Sequence, residues 1–466
     1  MTQRVRAADL LVLSGLALVL RLLHLGRPAG RVFDESFYAQ DACTYVHHSR
    51  ALCGGYLEAT FMHPPLGKWL IAWGIDVLGY DATGWRVAAV VTGVLTVAVT
   101  TALAGRVLGR LGAVVTGVVL ALDPLHVVFS RIATLDAPVT LFSTLAVLLA
   151  VMDAGATTAR ARRWWRPLTG LALGAAVATK WSGLLVLPVV ALVVVAGARR
   201  RAAQARALGA TEGYSSRGAV SVVLCGLVLP AAVYVASYAG RLRFSGAPWR
   251  YAGFARVLLR RQESMARYHL GLSADLGTHP YASPAWSWPL AKRPPVVAFD
   301  VAGDVVRETL GLVDPLLTVP ALLLAALAAA LAVRRRSLQG PEVVVAAGAL
   351  LTWLPWVVLS AGRPFVFAYY LLPTIPFLAL ALGWGVDRLA ARGRRGGLVA
   401  AAAVLGVSVS FLAWFWPVLT SQPLRYGDWR GRLVADGCGG QVPHLADGRV
   451  GPRPGAGAPP PGWCWL

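Results

Sequence analysis

The sequence predicts an all-α polytopic membrane protein, from its apolar composition and from the length of its apolar blocks. Of its 466 residues, 57% are hydrophobic and 14% are charged, and the mean hydropathy is +0.60. A soluble protein of this length carries more charge. The apolar residues are concentrated in long blocks, such as 88–105 and 316–333. Blocks of this kind form helices that cross a hydrocarbon core of about 30 Å, so we expect many membrane crossings.

The net charge of +22 does not indicate a nucleic-acid-binding protein. The basic residues, nearly all of them arginine, cluster in short loops between apolar blocks. This distribution sets the orientation of membrane helices, with the basic loops in the cytoplasm. The first apolar block has no small-residue cleavage site, so we expect no cleavable signal peptide.

The arginine-rich loops predict eleven helices, with the N-terminus in the cytoplasm and the C-terminus outside. The segments taken as cytoplasmic are 4–6, 106–110, 159–166, 199–217, 334–336 and 388–395. Both flanks of 167–197 are basic, so this stretch must cross twice as a short hairpin with its turn near 178–183. Residues 1–418 then form the transmembrane domain, with external loops at 26–84 and 240–311, and 419–466 form an external tail.

This topology places most of the unusual polar residues at the external ends of helices, and polar groups at one membrane face indicate a functional site. Asp34 and Glu35 are adjacent carboxylates that follow the first helix. One of them could serve as a general base, or the pair could cap the helix that follows. Adjacent residues on a helix point about 100° apart, so the two carboxylates should have different roles.

Several cations lie at the same predicted face. Arg21, Arg86 and Arg131 run against the topological preference for basic residues inside, and Lys180 lies at the turn of the short hairpin. Arginine suits phosphate because of its forked donors, which favours an anion site. The alternative is that these side chains extend along the helix surface to reach water.

Other external segments contribute residues that could shape a site. His63 and Lys68 belong to HPPLGK, and Asp136 belongs to RIATLDAP. A rigid loop explains the prolines of HPPLGK but neither His63 nor Lys68. The segment HPYASPAWSWPL contributes three further candidates, which are His279, Tyr281 and Trp286. Its tryptophans could anchor the chain at the membrane surface or form a platform for a sugar.

Four of the five cysteines lie in segments predicted to be external, where thiols tend to pair. Plausible bridges are Cys43–Cys53 and Cys438–Cys464, although the sequence does not fix the connectivity. A zinc site built from Cys43, His47, His48 and Cys53 is an alternative, as are free thiols. We expect no metal. No glycine-rich phosphate loop follows a predicted strand, which favours a substrate anchored in the membrane over a soluble nucleotide.

An ordered set of motifs resembles the bacterial protein O-mannosyltransferases, which have the GT-C glycosyltransferase fold. The motifs are VFDESFYAQDA, HPPLGKWLIAWG, GWRVAAVVTG, SRIATLDAP, ATKWSGL, HPYASPAWSWPL and GRPFVFAYYLLPTIPFLALAL. The resemblance covers about residues 10–418 and implies an extracytoplasmic site in a bacterial plasma membrane. It implies transfer of mannose from polyprenyl-phosphate-mannose to Ser or Thr hydroxyls of proteins that cross the membrane, with the secretion translocon as an expected partner.

The resemblance also implies roles for individual residues. Asp34 would deprotonate the acceptor hydroxyl, and Glu35 would orient the acceptor or the sugar. Arg21 and Arg86 would support the acidic site and hold the donor phosphate. A single displacement inverts the anomeric centre, and one base suffices because phosphate leaves without a strong acid, so no cofactor is expected. The external loop 240–311 is too short for the β-rich module of eukaryotic relatives.

Two other functions compete with protein mannosylation. A different GT-C enzyme would move a lipid-linked sugar to a lipid or glycan acceptor. A transporter or flippase predicts inverted repeats around a site in the middle of the membrane, whereas the polar motifs here lie at one face.

Overall fold

The structure is a computed structural model that describes residues 5–47, 49, 51–54, 62–156, 158–207, 216–244, 251–271, 279, 281–361, 363, 365–434 and 465. The predicted Cys438–Cys464 bridge lies outside the described residues. The helices of the N-terminal half are α1 (Ala7–Leu22), α2 (Glu35–His47), α3 (Leu66–Leu78), α4 (Ala82–Val107), α5 (Arg110–Leu122), α6 (Pro124–Phe129), α7 (Asp136–Gly155), α8 (Ala159–Thr179) and α9 (Leu187–Ala207). Those that follow are α10 (Ser216–Val223), α11 (Leu229–Phe244), α12 (Tyr251–Leu270), α13 (Pro315–Arg334), α14 (Pro341–Leu359), α15 (Ile375–Arg392), α16 (Arg394–Leu419) and α17 (Tyr426–Arg430).

The fold is mainly helical, as predicted, and the apolar helices have the length that membrane crossing requires. Eight helical stretches in the described chain are long and apolar enough to span a membrane, and α5 is a shorter apolar helix. The other two predicted spans correspond to α1, which is short, and to α8, which is rich in arginine. The count of eleven spans and the orientation of the termini stay predictions.

Small residues let the central helices approach one another closely. Gly112 of α5 faces Gly383 of α15, and a Cβ built on either glycine would collide with the backbone carbonyl of the other. Such contacts between small residues are a common way for membrane helices to pack. Buried threonines such as Thr96, Thr100 and Thr144 donate to carbonyls one turn earlier in their own helices, so their hydroxyls need no other partner.

One predicted helix is divided in two. The sequence predicts a single helix over 111–129, but α5 ends at Leu122 and α6 begins at Pro124. Proline cannot donate in a helix interior but is well placed at a first helical position. Asp123 caps α6 by accepting from the His126 amide at 2.8 Å. The break turns α6 toward the end of α1, where the polar residues described below meet.

A small antiparallel sheet was not part of the all-α prediction. Strands β1 (Val296–Ala302) and β2 (Val305–Leu310) form a hairpin, and β3 (Leu424–Arg425) adds the start of the tail to β2. The Gly303–Asp304 turn allows this hairpin because Gly303 has a positive φ of 59°. Trp429 of α17 is fully buried and donates to Glu308 of β2 at 2.8 Å, so the tail is packed onto the loop between α12 and α13.

The two long loops are themselves structured. Loop 26–84 carries α2 and α3, and a disulfide joins Cys43 to Cys53 with a Cα–Cα distance of 5.6 Å. Loop 240–311 carries α12, a 3₁₀ helix at Ala285–Leu290 and the β-hairpin. The α8–α9 connection is a tight turn at Lys180 followed by a 3₁₀ helix at Trp181–Val186. This turn lies where the sequence predicts the turn of a short hairpin, near 178–183. These segments surround the residues singled out from the sequence.

Candidate active site

Asp34 and Glu35 lie where the chain turns from α1 into α2. Phe33 has a positive φ of 51°, a conformation that forces a sharp turn, and its ring packs edge-on against Tyr369 at 5.4 Å. The backbone carbonyl of Asp34 accepts from the amides of Phe37 and Tyr38, which starts α2. The two adjacent carboxylates have different surroundings, and their different roles stay a prediction.

Glu35 is fully buried and holds the turn in place. Its carboxylate forms a two-point ion pair with Arg86 of α4, at 2.8 and 2.9 Å, and accepts from the amides of Val32 and Ala133. The terminal nitrogens of Arg86 also donate hydrogen bonds to the backbone carbonyls of residues 25, 28 and 30. The pair therefore connects three segments, and every donor nitrogen of Arg86 has a partner within the protein.

Arg21 and Arg131 are engaged in a similar way at the end of α1. Arg21 is completely buried and donates to the Ser130 hydroxyl at 2.8 Å and to the carbonyls of Ala17 and Ala121, with His126 beside it at 2.6 Å. Arg131 donates to carbonyls of residues 20, 21 and 24. Both guanidinium groups bind helix-end carbonyls, so their visible contacts fix the positions of α1 and α6.

Asp34 is partly buried and has the surroundings of a reactive carboxylate. Burial raises the pKa of Asp34 to about 6, against the opposing positive charge of Lys180, while the negative charge of Asp136 raises it further and a hydrogen bond from Tyr369 lowers it. Asp34 thus lies among one cation, one anion and a tyrosine. A carboxylate with a pKa close to neutral pH is well suited to accept a proton.

The cation of this group is held between an anion and two rings. Lys180 donates to both carboxylate oxygens of Asp136, at 2.8 and 3.1 Å. Its ammonium also lies 4.8 Å from the centre of the Tyr370 ring and 5.5 Å from that of Tyr369. Asp136 is the first residue of α7 and Lys180 directly follows α8, so two helix ends meet at Asp34.

His63 joins an aromatic wall on the α12 side of this group. Its ring centre is 6.1 Å from that of Tyr38 and 5.5 Å from that of His269 in α12. Burial holds the pKa of His63 well below its ordinary range, and the positive charge of Lys180 adds to this effect. His63 is therefore neutral at pH 7, and Trp181 continues the wall with its ring 5.6 Å from His269.

The other residues predicted for the site have partners elsewhere in the described chain. Lys68 forms a buried ion pair with Asp41 at 2.6 Å, which joins α3 to α2. His279 packs edge-on against Phe367 at 5.1 Å, and Phe367 stacks on Tyr369 at 5.6 Å, so His279 reaches the group through one intervening ring. Tyr281 donates its amide to the His279 ring.

The two tryptophans of the 3₁₀ helix at Ala285–Leu290 differ. Trp286 is 50% exposed, with Lys292 above its ring at 5.5 Å, and lies apart from the carboxylates. Trp288 is fully buried and donates to the Ser283 carbonyl, so it packs the interior instead of anchoring the chain at the membrane surface.

Sequence reasoning did not single out Tyr369, Tyr370, His269 or Arg363. Tyr369 and Tyr370 belong to the quoted segment GRPFVFAYY, and two tyrosines beside an external arginine are the signal that could have found them. Arg363 donates to the His269 carbonyl at 3.0 Å. Burial lowers the pKa of His269, and the charges of Arg363 and Lys180 contribute to the shift. No comparable signal marks His269 in the sequence.

The cysteine alternatives can be compared with the geometry. The sulfurs of Cys43 and Cys53 are bonded to each other and are not available as zinc ligands together with His47. Within the described residues, no group of three or more His, Cys, Asp or Glu side chains is arranged to hold a metal ion.

The fold defines the class of protein. The chain superposes on the structure of the Saccharomyces cerevisiae protein O-mannosyltransferase Pmt1–Pmt2 complex bound to the sugar donor, with a TM-score of 0.74, 14% identity and 93% of each chain covered. It also matches ArnT from Cupriavidus metallidurans bound to undecaprenyl phosphate, with a TM-score of 0.57, 20% identity and 88% and 66% of the two chains covered. Both matches show the GT-C glycosyltransferase fold.

The sequence comparisons then identify the family. A family model described as dolichyl-phosphate-mannose-protein mannosyltransferase matches residues 81–240. The polyprenol-phosphate-mannose–protein mannosyltransferase of Mycobacterium tuberculosis is 30% identical over 477 residues, with 89% of this chain and 88% of the relative covered. The enzyme of the same name from Mycolicibacterium smegmatis is 29% identical over 473 residues, with 90% of each covered. The chain belongs to the family of polyprenol-phosphate-mannose–protein mannosyltransferases, and it is a glycosyltransferase.

Proposed function

We propose that this enzyme transfers mannose, with inversion, from polyprenyl-phosphate-mannose to Ser or Thr hydroxyls of proteins at the extracytoplasmic membrane face. The observation that carries the proposal is the environment of Asp34, a partly buried carboxylate with a raised pKa that lies among Lys180, Asp136 and Tyr369. The acceptors are secreted or membrane proteins, which pass this face in an extended state as they leave the translocon. The proposed location is a bacterial plasma membrane.

In the proposed step, Asp34 removes the proton from the acceptor hydroxyl. The hydroxyl oxygen forms a bond to the anomeric carbon as the bond from that carbon to the phosphate oxygen breaks. The electron pair of the broken bond stays on the phosphate, which leaves as polyprenyl phosphate. The two oxygens lie on opposite faces of the sugar, so a β-linked donor gives an α-linked product. No cofactor takes part in this scheme.

The negative charge that develops on the phosphate requires a nearby cation. Lys180 and Arg363 are both close enough to His269 to influence its charge, and Lys180 also acts on Asp34. We assign the leaving phosphate to these two side chains. Arg21, Arg86 and Arg131 have their contacts within the protein, and their proposed role is to hold the Asp34 turn and the end of α1.

The neutral, ring-lined wall suits a sugar. His63, Trp181 and His269 present faces and edges of rings, against which the apolar face of a hexose packs well. His279 packs against Phe367, which stacks on Tyr369, so His279 and its neighbour Tyr281 support Tyr369 indirectly. Trp286 and Lys68 have no direct part in this scheme. Residues 1–418 form the catalytic domain, and 419–466 form an accessory tail.

The test is transfer by the purified full chain from polyprenyl-phosphate-mannose to a Ser/Thr-rich peptide. Asp34→Asn keeps the shape of the side chain but removes the base, and a base contributes about 100-fold to 10,000-fold, so kcat should fall by at least about 100-fold with little change in donor KM. Asp76→Asn, on the far end of α3, is the matched control and should keep full activity. Full activity in Asp34→Asn would exclude this base, and transfer of a different sugar by the native chain would exclude mannose.

A further inference from the structure

A cavity lies at the opposite end of α7 from Asp34. It has a volume of about 900 Å³ and is bounded by the ends of α1, α4, α7, α8, α9 and α14. Helix α7 runs from Asp136 at the active site to Gly155 at this cavity, and its twenty residues span roughly 30 Å. The cavity is therefore separate from the mannosyl-transfer site.

The walls of this cavity combine apolar side chains with polar groups, and the charged side chains among its lining residues are all positive. Val151, Val193 and Val344 contribute to the walls, and Trp165 lies at the start of α8. The two charged side chains that line it are Arg106 and Arg200, and no carboxylate lines it in the described part of the chain. Its volume falls within the range of about 300–1,000 Å³ that is usual for ligand pockets.

Arg200 has a donor that the protein does not use. One terminal nitrogen donates to the Ala154 carbonyl at the end of α7, which accounts for the position of the side chain. Its Nε is buried, and it has no hydrogen-bond partner among the described residues. A buried N–H of a charged group without a partner costs free energy, so an acceptor from a ligand would satisfy it. A negatively charged oxygen suits it best, because the cavity has an excess of positive charge.

We propose that this cavity binds an anionic glycerophospholipid, with the lipid phosphate on Arg200 and Arg106 and one acyl chain along the valine wall. The cavity opens at the face that carries the arginine-rich segments, which the sequence predicts to be cytoplasmic. Basic pockets between membrane helices on the cytoplasmic side bind the head groups of anionic lipids. The bound lipid would fill space that the helix ends leave open and would hold α7 and α9 together.

The test is native mass spectrometry of the purified full chain titrated with phosphatidylglycerol, with phosphatidylcholine as the neutral comparison. We expect one phosphatidylglycerol per chain, bound at least about tenfold more tightly than phosphatidylcholine, and about a tenfold loss in Arg200→Gln. Arg199→Gln is the matched control, because Arg199 is the exposed neighbour on the same helix. It should bind like the native chain.

A second variant separates lipid binding from the structural role of Arg200. A Cβ added at Gly155, which lines the cavity, meets no atom within 4 Å, so the side chain in Gly155→Leu is designed to enter the cavity while the Arg200 contact with Ala154 is kept. It should lose the lipid yet keep mannosyl transfer. Equal binding of the two lipids by the native chain, or undiminished binding in Gly155→Leu, would overturn the proposal. Displacement of phosphatidylglycerol by an equal concentration of polyprenyl phosphate would overturn the choice of a glycerophospholipid.

Discussion

The two carboxylates of the acidic pair have different surroundings although they are neighbours in the chain. Glu35 is fully committed to Arg86 and two backbone amides, whereas Asp34 faces Lys180, Asp136 and Tyr369. The sequence indicated that the two carboxylates would differ, because neighbours on a helix point in different directions. The residues by themselves did not indicate which one is the base, a role that the family resemblance gives to Asp34, because the difference between the two depends on Arg86, 51 residues beyond Glu35 in the chain.

The pKa of Asp34 leads to a prediction about pH. The base is active when deprotonated, so kcat/KM should be constant above pH 7 and should fall below about pH 6, close to tenfold per further pH unit. The measurement is a pH profile of the native enzyme, with recovery of activity at pH 7 after acid exposure as the control for unfolding. A profile that stays flat to about pH 5 would rule out Asp34 as the proton acceptor.

A prediction about stability distinguishes Arg86 from a surface arginine. Breaking a buried ion pair leaves an uncompensated charge and costs about 3–5 kcal/mol, so Arg86→Ala should strongly lower the unfolding temperature. Arg110→Ala is the control, because its pair with Asp9 is partly exposed, and it should have a much smaller effect. Equal shifts in the two variants would contradict the structural role assigned to Arg86.

At the scale of elements, the Cys43–Cys53 bond closes the end of α2 over the loop that leads toward α3. Removing the bond in Cys43→Ser/Cys53→Ser should cost about 2–3 kcal/mol of stability, since the unfolded chain regains freedom. Thermal unfolding measures this cost, and Cys225→Ser, which removes a free thiol, is the matched control. If a reductant lowers the unfolding temperature of the double variant as much as that of the native chain, the assigned bridge is wrong.

Apolar helices were the elements that the sequence could predict, because period and length carry their signal. The hairpin at Lys180 followed from charge alone, since both of its flanks are basic. The division at Pro124 was missed although the proline was visible, because a proline can also be tolerated inside a membrane helix. The strands were missed as well. Short β-branched runs on either side of the Gly303–Asp304 turn are strand signals, but they do not form a long apolar block.

At the scale of the whole molecule, the sheet connects residues that follow α16 to the segment between α12 and α13. Burial raises the pKa of Glu308 to about 8, against the hydrogen bond from Trp429. The folded state therefore binds a proton that the unfolded state releases near its ordinary pKa of 4.5, so stability should decrease as pH rises from about 4.5 to about 8. Limited proteolysis of the tail across this range measures the effect. Glu308→Gln should show a flatter pH dependence, and an unchanged slope would contradict the assignment.

The site as a whole could be predicted only in outline. The topology predicted from the arginine-rich loops placed four of its residues at one membrane face, and the structure brings them together around the start of α2. They are Asp34, Arg86, Lys180 and Asp136. Many partners of the three arginines could not be predicted, since they are backbone carbonyls that only the folded chain brings into place. For this reason three arginines expected to hold phosphate have their contacts inside the protein.

The Glu35–Arg86 pair has a consequence for how genetic screens of this enzyme should be interpreted. A substitution at either residue displaces the turn that carries the neighbouring Asp34, so the variant would be as inactive in a colony screen as one that lacks the base. Loss of function in this segment therefore cannot by itself assign chemistry to a residue. Donor affinity and unfolding temperature, measured on each inactive variant, separate a damaged scaffold from a missing reactive group.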